Sequence, residues 1–228
     1  MIRKLKILLH FPVDLLRMFV SYVPGPIGNA LRYWFWKGRL KYLGKNVIID
    51  VGVYFQNPKF IAIDDNSWID RGVIVLAGPD KSNRSRRIID NPRFSLEKGN
   101  VFIGKHVHIA PYSIISGIAG VYISDDCGIS SGVKIYSFSH HYRSNDFPSD
   151  RKYRFSPLIE HDQQYLIEGP IFLDRNVGAA LNAIVLPGVS IGKDSFVSIN
   201  SVVSTSFEEN SLIAGSPAQR IRARYEDV

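Results

Sequence analysis

Two adjacent histidines, His140 and His141, close the segment GVKIYSFSHHYR between Gly132 and Arg143. An ordinary imidazole titrates near ~6.5, so its neutral form is available to remove a proton at neutral pH. At the other end of the chain, GSPAQRIRARY sets Arg220, Arg222 and Arg224 close together, and guanidinium groups suit phosphate recognition. Cys127 is the single cysteine, which excludes an internal disulfide and fits a reducing compartment.

Whatever positions these groups must follow the dominant pattern of the chain, a repeat of six residues. Ile63, Ile69 and Val75 are six apart, as are Ile103, Ile109 and Ile115, and then Ile123, Ile129 and Ile135. A last run goes Leu173, Ala179, Val185, Ile191, Val197, Val203. Six is neither the 3.6 of a helix nor the alternation of a single strand. Four residues after each anchor the side chain is small: Ser67, Val73, Val107, Ser113, Ala119, Cys127, Val133, Ser139, Val177, Ala183, Val189, Ser195 and Ser201. This predicts a narrow triangular prism in which each hexad is one short strand plus a corner, and neighbouring coils stack. Anchor and small residue both point inward, so Cys127 reads as a buried filler. Val121 and Val202 are expected to face outward, where another chain would meet them.

The rhythm fails over 77–100 and 141–170, which read as two long inserted loops rich in polar residues. His140 occupies the outward fifth place after anchor Ile135. His141 falls where the next inward anchor belongs. The chain therefore leaves the prism there, and His140 sits on the last ordered strand at the root of the second loop, a fit place for a catalytic group.

The hexads, and above all NVGAALNAIVLPGVSIGKDSFVSINSVVSTSFEENSLIAGSPAQRIR, resemble the hexapeptide-repeat acyltransferases; YVPGPIGNALRYWFWKGRLKYLGKN resembles the start of bacterial surface-polysaccharide O-acetyltransferases. The resemblance implies an all-β fold, a left-handed parallel β-helix, with an N-terminal helical segment and the two loops. It implies acetyl-CoA as co-substrate, a sugar hydroxyl as acceptor, His140 as general base with His141 as a lesser partner, and a homotrimer with active sites between subunits. Carried over by position, it places the acyl end at Gly178, Ala180 and Leu181, the pantetheine at Ser198 and Ile199, and the nucleotide at Ser204, Thr205, Arg220 and Arg222. Three departures stand out. Gly178-Ala179-Ala180 replaces a usual Trp-Ile-Gly, which widens the acyl end. Ser198-Ile199-Asn200 replaces Gly-Ala-Gly. Ala110 stands where members acting on simple galactosides carry asparagine.

Arg84, Arg86, Arg87 and Arg93 in the first loop, and Arg143, Arg151, Lys152 and Arg154 in the second, are candidates to line an acceptor cleft, with Arg86 and Arg143 foremost. Two rival readings remain. One is a metal enzyme like γ-type carbonic anhydrase, drawing zinc ligands from His106, His108, His140 and His161; the preferred reading has no metal. The other is a non-enzymatic hexapeptide-repeat scaffold.

Charge divides the chain. Residues 1–45 carry nine Lys/Arg and one acid, a net +8, whereas residues 46–228 carry a net −1. A near-neutral body argues against nucleic acid. The first segment mixes basic residues with Trp, Tyr, Phe and Leu but is broken by His10, Pro12, Asp14 and Arg17, so it is expected neither to be cleaved as a signal nor to span a membrane. It suits peripheral contact with an anionic bilayer on the cytoplasmic side, or bracing between subunits. The expected organisation is a helical segment 1–45, a catalytic β-helix 46–215 and a tail 216–228.

Overall fold

The computed structural model describes residues 2–91 and 96–226, with side chains from residue 11 onward. Helices α1 (Ile2–Tyr22) and α2 (Gly25–Lys37) precede a parallel β-helix of three faces. Face 1 runs from Tyr42–Leu43 through Ile61–Ile63, Val101–Ile103, Val121–Ile123 and Ile171–Leu173 to Ser190–Ile191. Face 2 runs from Ile48–Ile49 through Trp68–Ile69, His108–Ile109, Gly128–Ile129 and Gly178–Ala179 to Phe196–Val197 and the terminal hairpin. Face 3 holds Tyr54–Gln56, Ile74–Leu76, Ile114–Ser116, Lys134–Tyr136, Ile184–Val185 and Val202–Val203.

The hexad explains the register. Anchors stack on anchors, as in Ile69 on Ile109 and Ile109 on Ile129, and all of them are buried. Each fully buried isoleucine contributes roughly 1.5–3 kcal/mol. The small residues at the fourth place are buried as expected, except Ser139, which is half-buried on a strand that has already left the prism. Ser137 takes the inward role, donating to the Ser116 carbonyl and accepting from the Ala119 amide. Val121 is another correction. It opens its strand in register with Val101 and Ile171 and is fully buried, not outward. Val202 is outward and half-buried, in line with Ile184.

The corner from face 1 to face 2 is a column of left-handed residues: Asn46, Asn66, His106, Asp126, Asn176, Asp194 and Asn210 all have positive φ. Asn and Asp tolerate that conformation better than branched residues do. His106 is thus a corner residue, its ring between Asn66 and Asp126.

Neither insertion is wholly a loop. Ser85–Ile88 runs parallel to Tyr165–Glu168, which runs antiparallel to Phe138–His141. Together they form a three-stranded side sheet that ties the insertions together. Arg93 lies outside the described residues.

The expected boundaries also shift. Tyr42–Leu43, within the first 45 residues, is already the first strand of face 1. The tail is no free end, because Ala218–Ala223 folds back antiparallel on Ser211–Gly215. Arg32 of α2 is buried. It donates to the carbonyls of Ile49, Val20 and Val23 and to Asn29 Oδ1, and lies 3.8 Å from Asp50. Burial lowers its pKa and Asp50 opposes that shift. Gly28 permits this approach, since a Cβ there would stand 1.9 Å from the Val23 carbonyl oxygen.

Candidate active site

His140 lies on Phe138–His141, directly opposite the fully buried Leu166. Its Nε2 is 3.3 Å from Gln164 Oε1, and Phe155 stands edge-on to its ring at 6.4 Å. The imidazole is half-buried. His141 points differently. Its Nδ1 donates to the Arg143 carbonyl at 2.6 Å and its ring stacks on Tyr142, so it shapes the start of the second insertion.

The residues expected to hold the donor divide between two edges of one prism. Gly178 lies on face 2 itself, and Ala180, Leu181, Ser198 and Ile199 lie at the turns from face 2 to face 3, where the Asn200 amide bonds the Leu181 carbonyl. Ser204 and Thr205 lie at the turn from face 3 back to face 1, as does the exit towards His140. Face 3 separates the two groups within a chain.

A cleft of about 430 Å³ opens on face 2. Its floor is bare, because Gly128 and Gly178 are register partners. His108 walls one side, its ring tilted at 41° to that of Trp68 and its Nε2 3.3 Å from Asp70 Oδ2. Phe196 and Arg224 wall the other, with the guanidinium carbon 5.8 Å from the ring centre. Arg224 also donates to the carbonyls of Asn176 and Ser195. The three tail arginines therefore separate: Arg224 turns into the cleft, Arg222 pairs with Glu226 at 3.1 Å, and Arg220 donates to Ser211 Oγ. The glycines carried a sequence signal, each standing immediately before an anchor, where other strands of this face carry Ile, Trp, His, Phe or Leu. Phe196 gave none, and Arg224 was marked only as one of the tail arginines, not as a wall of this cleft.

Arg86 is turned away from solvent. It bridges Asp80 at 3.1 Å and Glu168 at 2.9 Å, and Glu168 also takes Lys98. Arg84 joins Asp80 and donates to Gln164 Oε1 at 2.7 Å. Burial raises the pKa of the Asp80 carboxyl, but the Ser82 hydroxyl and the two guanidinium groups outweigh it and hold the group below its ordinary value. Arg143 is exposed, lying over Tyr142. His106, His108, His140 and His161 do not converge, and among the described residues no cluster suited to a metal ion occurs.

No family model matches the chain. It is 33% identical over 188 residues to the dTDP-4-amino-4,6-dideoxy-D-glucose acyltransferase of Escherichia coli, spanning 82% of this chain and 84% of that protein. It is 34% identical over 125 residues to the putative lipopolysaccharide biosynthesis O-acetyl transferase WbbJ of Escherichia coli K12, spanning 55% and 61% of the two chains. Among solved structures, the N-acyltransferase AntD of Bacillus cereus, in complex with dTDP and coenzyme A, superposes with a TM-score of 0.68 at 24% identity, over 90% of this chain and 91% of that one. A hexapeptide-repeat acetyltransferase of Vibrio cholerae gives 0.57 at 20% identity, over 93% and 85%. These two likenesses concern the fold.

Proposed function

This chain belongs to the hexapeptide-repeat sugar acyltransferases, and from that premise we propose that it transfers acetyl from acetyl-CoA to a sugar hydroxyl of a surface polysaccharide or of its lipid- or nucleotide-linked precursor, with His140 as general base. The imidazole removes the hydroxyl proton as the oxygen attacks the thioester carbonyl. The tetrahedral intermediate collapses, the C–S bond breaks, and the imidazolium returns its proton to the departing thiolate. A positioned base supplies ~10²–10⁴-fold, and orientation with backbone N–H donors supplies the remainder.

One observation carries this reading: His140 is held by an ordered strand at the root of an insertion, with its ring against a buried amide. The test follows thiol release from acetyl-CoA against a panel of sugars. Release that depends on a hydroxyl acceptor and vanishes in His140→Ala supports the assignment. Acceptor-dependent release that survives in that variant, with every hydroxyl acceptor, removes it.

The name of the 33%-identical relative favours a second reading, in which the acceptor is the amine of a nucleotide-linked amino sugar. A neutral amine is a better nucleophile than a hydroxyl and depends less on a base. Turnover on an amino sugar that tolerates His140→Ala would select it.

The site is completed between subunits of a homotrimer. The expected donor residues lie on two edges of one chain, and the outward line of face 3 offers Ile74, Ile114, Ile184 and Val202, all half-buried, for a neighbour. Arg143 and the exposed Arg87 face an anionic part of the acceptor, while Arg86 supports the sheet from behind. Coenzyme A phosphates meet Arg220 and Arg222. The enzyme works in the cytoplasm, held peripherally on the inner membrane by α1. That helix exposes Phe11, Leu15, Leu16, Met18, Phe19 and Tyr22. Among the described residues no helix is long and apolar enough to cross a membrane.

A further inference from the structure

Gln164, the amide against the His140 ring, is fully buried and its side chain is saturated. Its amide nitrogen donates to two carbonyls of the second insertion, Ile159 at 2.7 Å and Pro157 at 3.3 Å. Those two bonds fix which end of the amide is oxygen. The oxygen faces Arg84 Nη1 at 2.7 Å and His140 Nε2 at 3.3 Å. Arg84 donates, and an amide oxygen only accepts, so the proton between His140 and Gln164 belongs to Nε2.

We propose that Gln164 is a positioning residue: clamped by Arg84 and two backbone carbonyls, its oxygen keeps the proton of neutral His140 on Nε2 and leaves Nδ1 as the atom that receives the substrate proton. The proposal rests on His140 being the general base.

Three strands build the device, two of them on the insertions and one at the root of the second. Gln164 immediately precedes the strand Tyr165–Glu168, which pairs with the histidine strand on one side and with Ser85–Ile88 on the other. Arg84 is itself held by Asp80 at 3.1 Å and by Ser82 Oγ at 2.7 Å. A guanidinium on the same oxygen also disfavours rotating the amide, since the NH2 group would then meet a cation. A ring with one correct tautomer and one correct orientation removes a reorganisation step from each turnover.

Two measurements decide the matter. In the unaltered protein, nitrogen NMR of selectively labelled histidine should show neutral His140 protonated at Nε2 and bare at Nδ1. The reverse assignment overturns the proposal, and this arm needs no variant to fold. In steady-state kinetics, Gln164→Leu keeps the volume but removes the acceptor; it should lower kcat by ~10–100-fold, part of what a positioned base supplies, while KM for both substrates stays within about twofold. Gln164→Glu restores an acceptor oxygen and should recover kcat to within about fivefold of wild type. Wild-type kcat in Gln164→Leu, with His140→Ala inactive, sinks the role of Gln164 and spares the base. A Glu variant as slow as the Leu variant also counts against it. Full activity in His140→Ala removes the base reading itself.

Discussion

Gly128 lies directly opposite Gly178 on the neighbouring strand, so two successive strands of face 2 present no side chain outward. The two positions are not alike. A Cβ added at Gly128 meets nothing within 4 Å, whereas one added at Gly178 comes 2.6 Å from the Phe196 ring.

Gly128→Phe should therefore fill the cleft without disturbing the fold and should abolish acyl transfer. If the site is shared between subunits, Gly128→Phe and His140→Ala chains, each inactive alone, will complement one another when co-expressed. Random assortment in a cyclic trimer restores about a quarter of the sites. Absence of any recovery in verified mixed trimers would place cleft and base in one chain.

His140→Ala should lower turnover by ~10²–10⁴-fold while coenzyme A still binds. His141→Ala should cost less than tenfold, because its ring serves the Arg143 carbonyl and Tyr142 rather than a substrate. A dead His141 variant beside an active His140 variant would reverse the two roles.

Cys127 should resist thiol reagents in the native protein. Burial pushes its thiol pKa up to about 12, with Sγ against the Asp174 carbonyl, and the attacking thiolate is then scarce at pH 8. Labelling should appear only on unfolding. One equivalent of reagent consumed within minutes by the folded protein would contradict this.

The Asp80 clasp should loosen in acid. Its carboxyl pKa is depressed in the fold, so its contribution is present above the ordinary carboxylate value of ~3.9 and is lost as pH falls through the lower folded value. Asp80→Asn should make the segment 141–164 as open to pepsin at pH 5 as the unaltered protein becomes only below about pH 4. Equal cleavage of the two proteins across that range would show that Arg84 and Arg86 are held without Asp80.

Deleting residues 1–23 should abolish binding to anionic vesicles and leave soluble acyl transfer intact. Each basic side chain near such a surface contributes ~1 kcal/mol, screened by salt. Of the basic residues described in the helical segment, Arg32 is buried and Lys37 and Arg39 bond the carbonyls of Leu43 and Phe35. The apolar face of α1 should consequently dominate, and binding should weaken only partly as salt rises. A full-length protein that ignores anionic vesicles at low salt would leave α1 as a brace.

The hexad was legible because its period is local: each anchor predicts the next six residues on, and the coil geometry follows. The side sheet was not, because Ser85–Ile88 finds its partner some eighty residues away and neither strand alternates cleanly. Gln164 looked like any polar loop residue, since nothing in DQQYL announces a buried amide. The burial of Arg32 was not legible, because helical spacing shows which residues share a face and not whether that face meets solvent. Val121 was misread because the three-residue strands of face 1 bury their first residue as well as their anchor. His140 was singled out by its place in the rhythm, whereas the Gln164 amide beside it emerged only from the pairing of distant strands.

The two ends of the stack carry one more implication. A β-helix confines its unpaired backbone to its first and last coils, and such edges invite a further strand from any neighbour. Here α2 closes one end, with Arg32 donating to the Ile49 carbonyl of the first coil, and the Ser211–Gly215 and Ala218–Ala223 hairpin closes the other by reversing direction. An antiparallel last strand cannot template another parallel coil in register. The molecule is thus terminated at both ends against end-to-end growth into fibres, and its sides alone remain available for assembly.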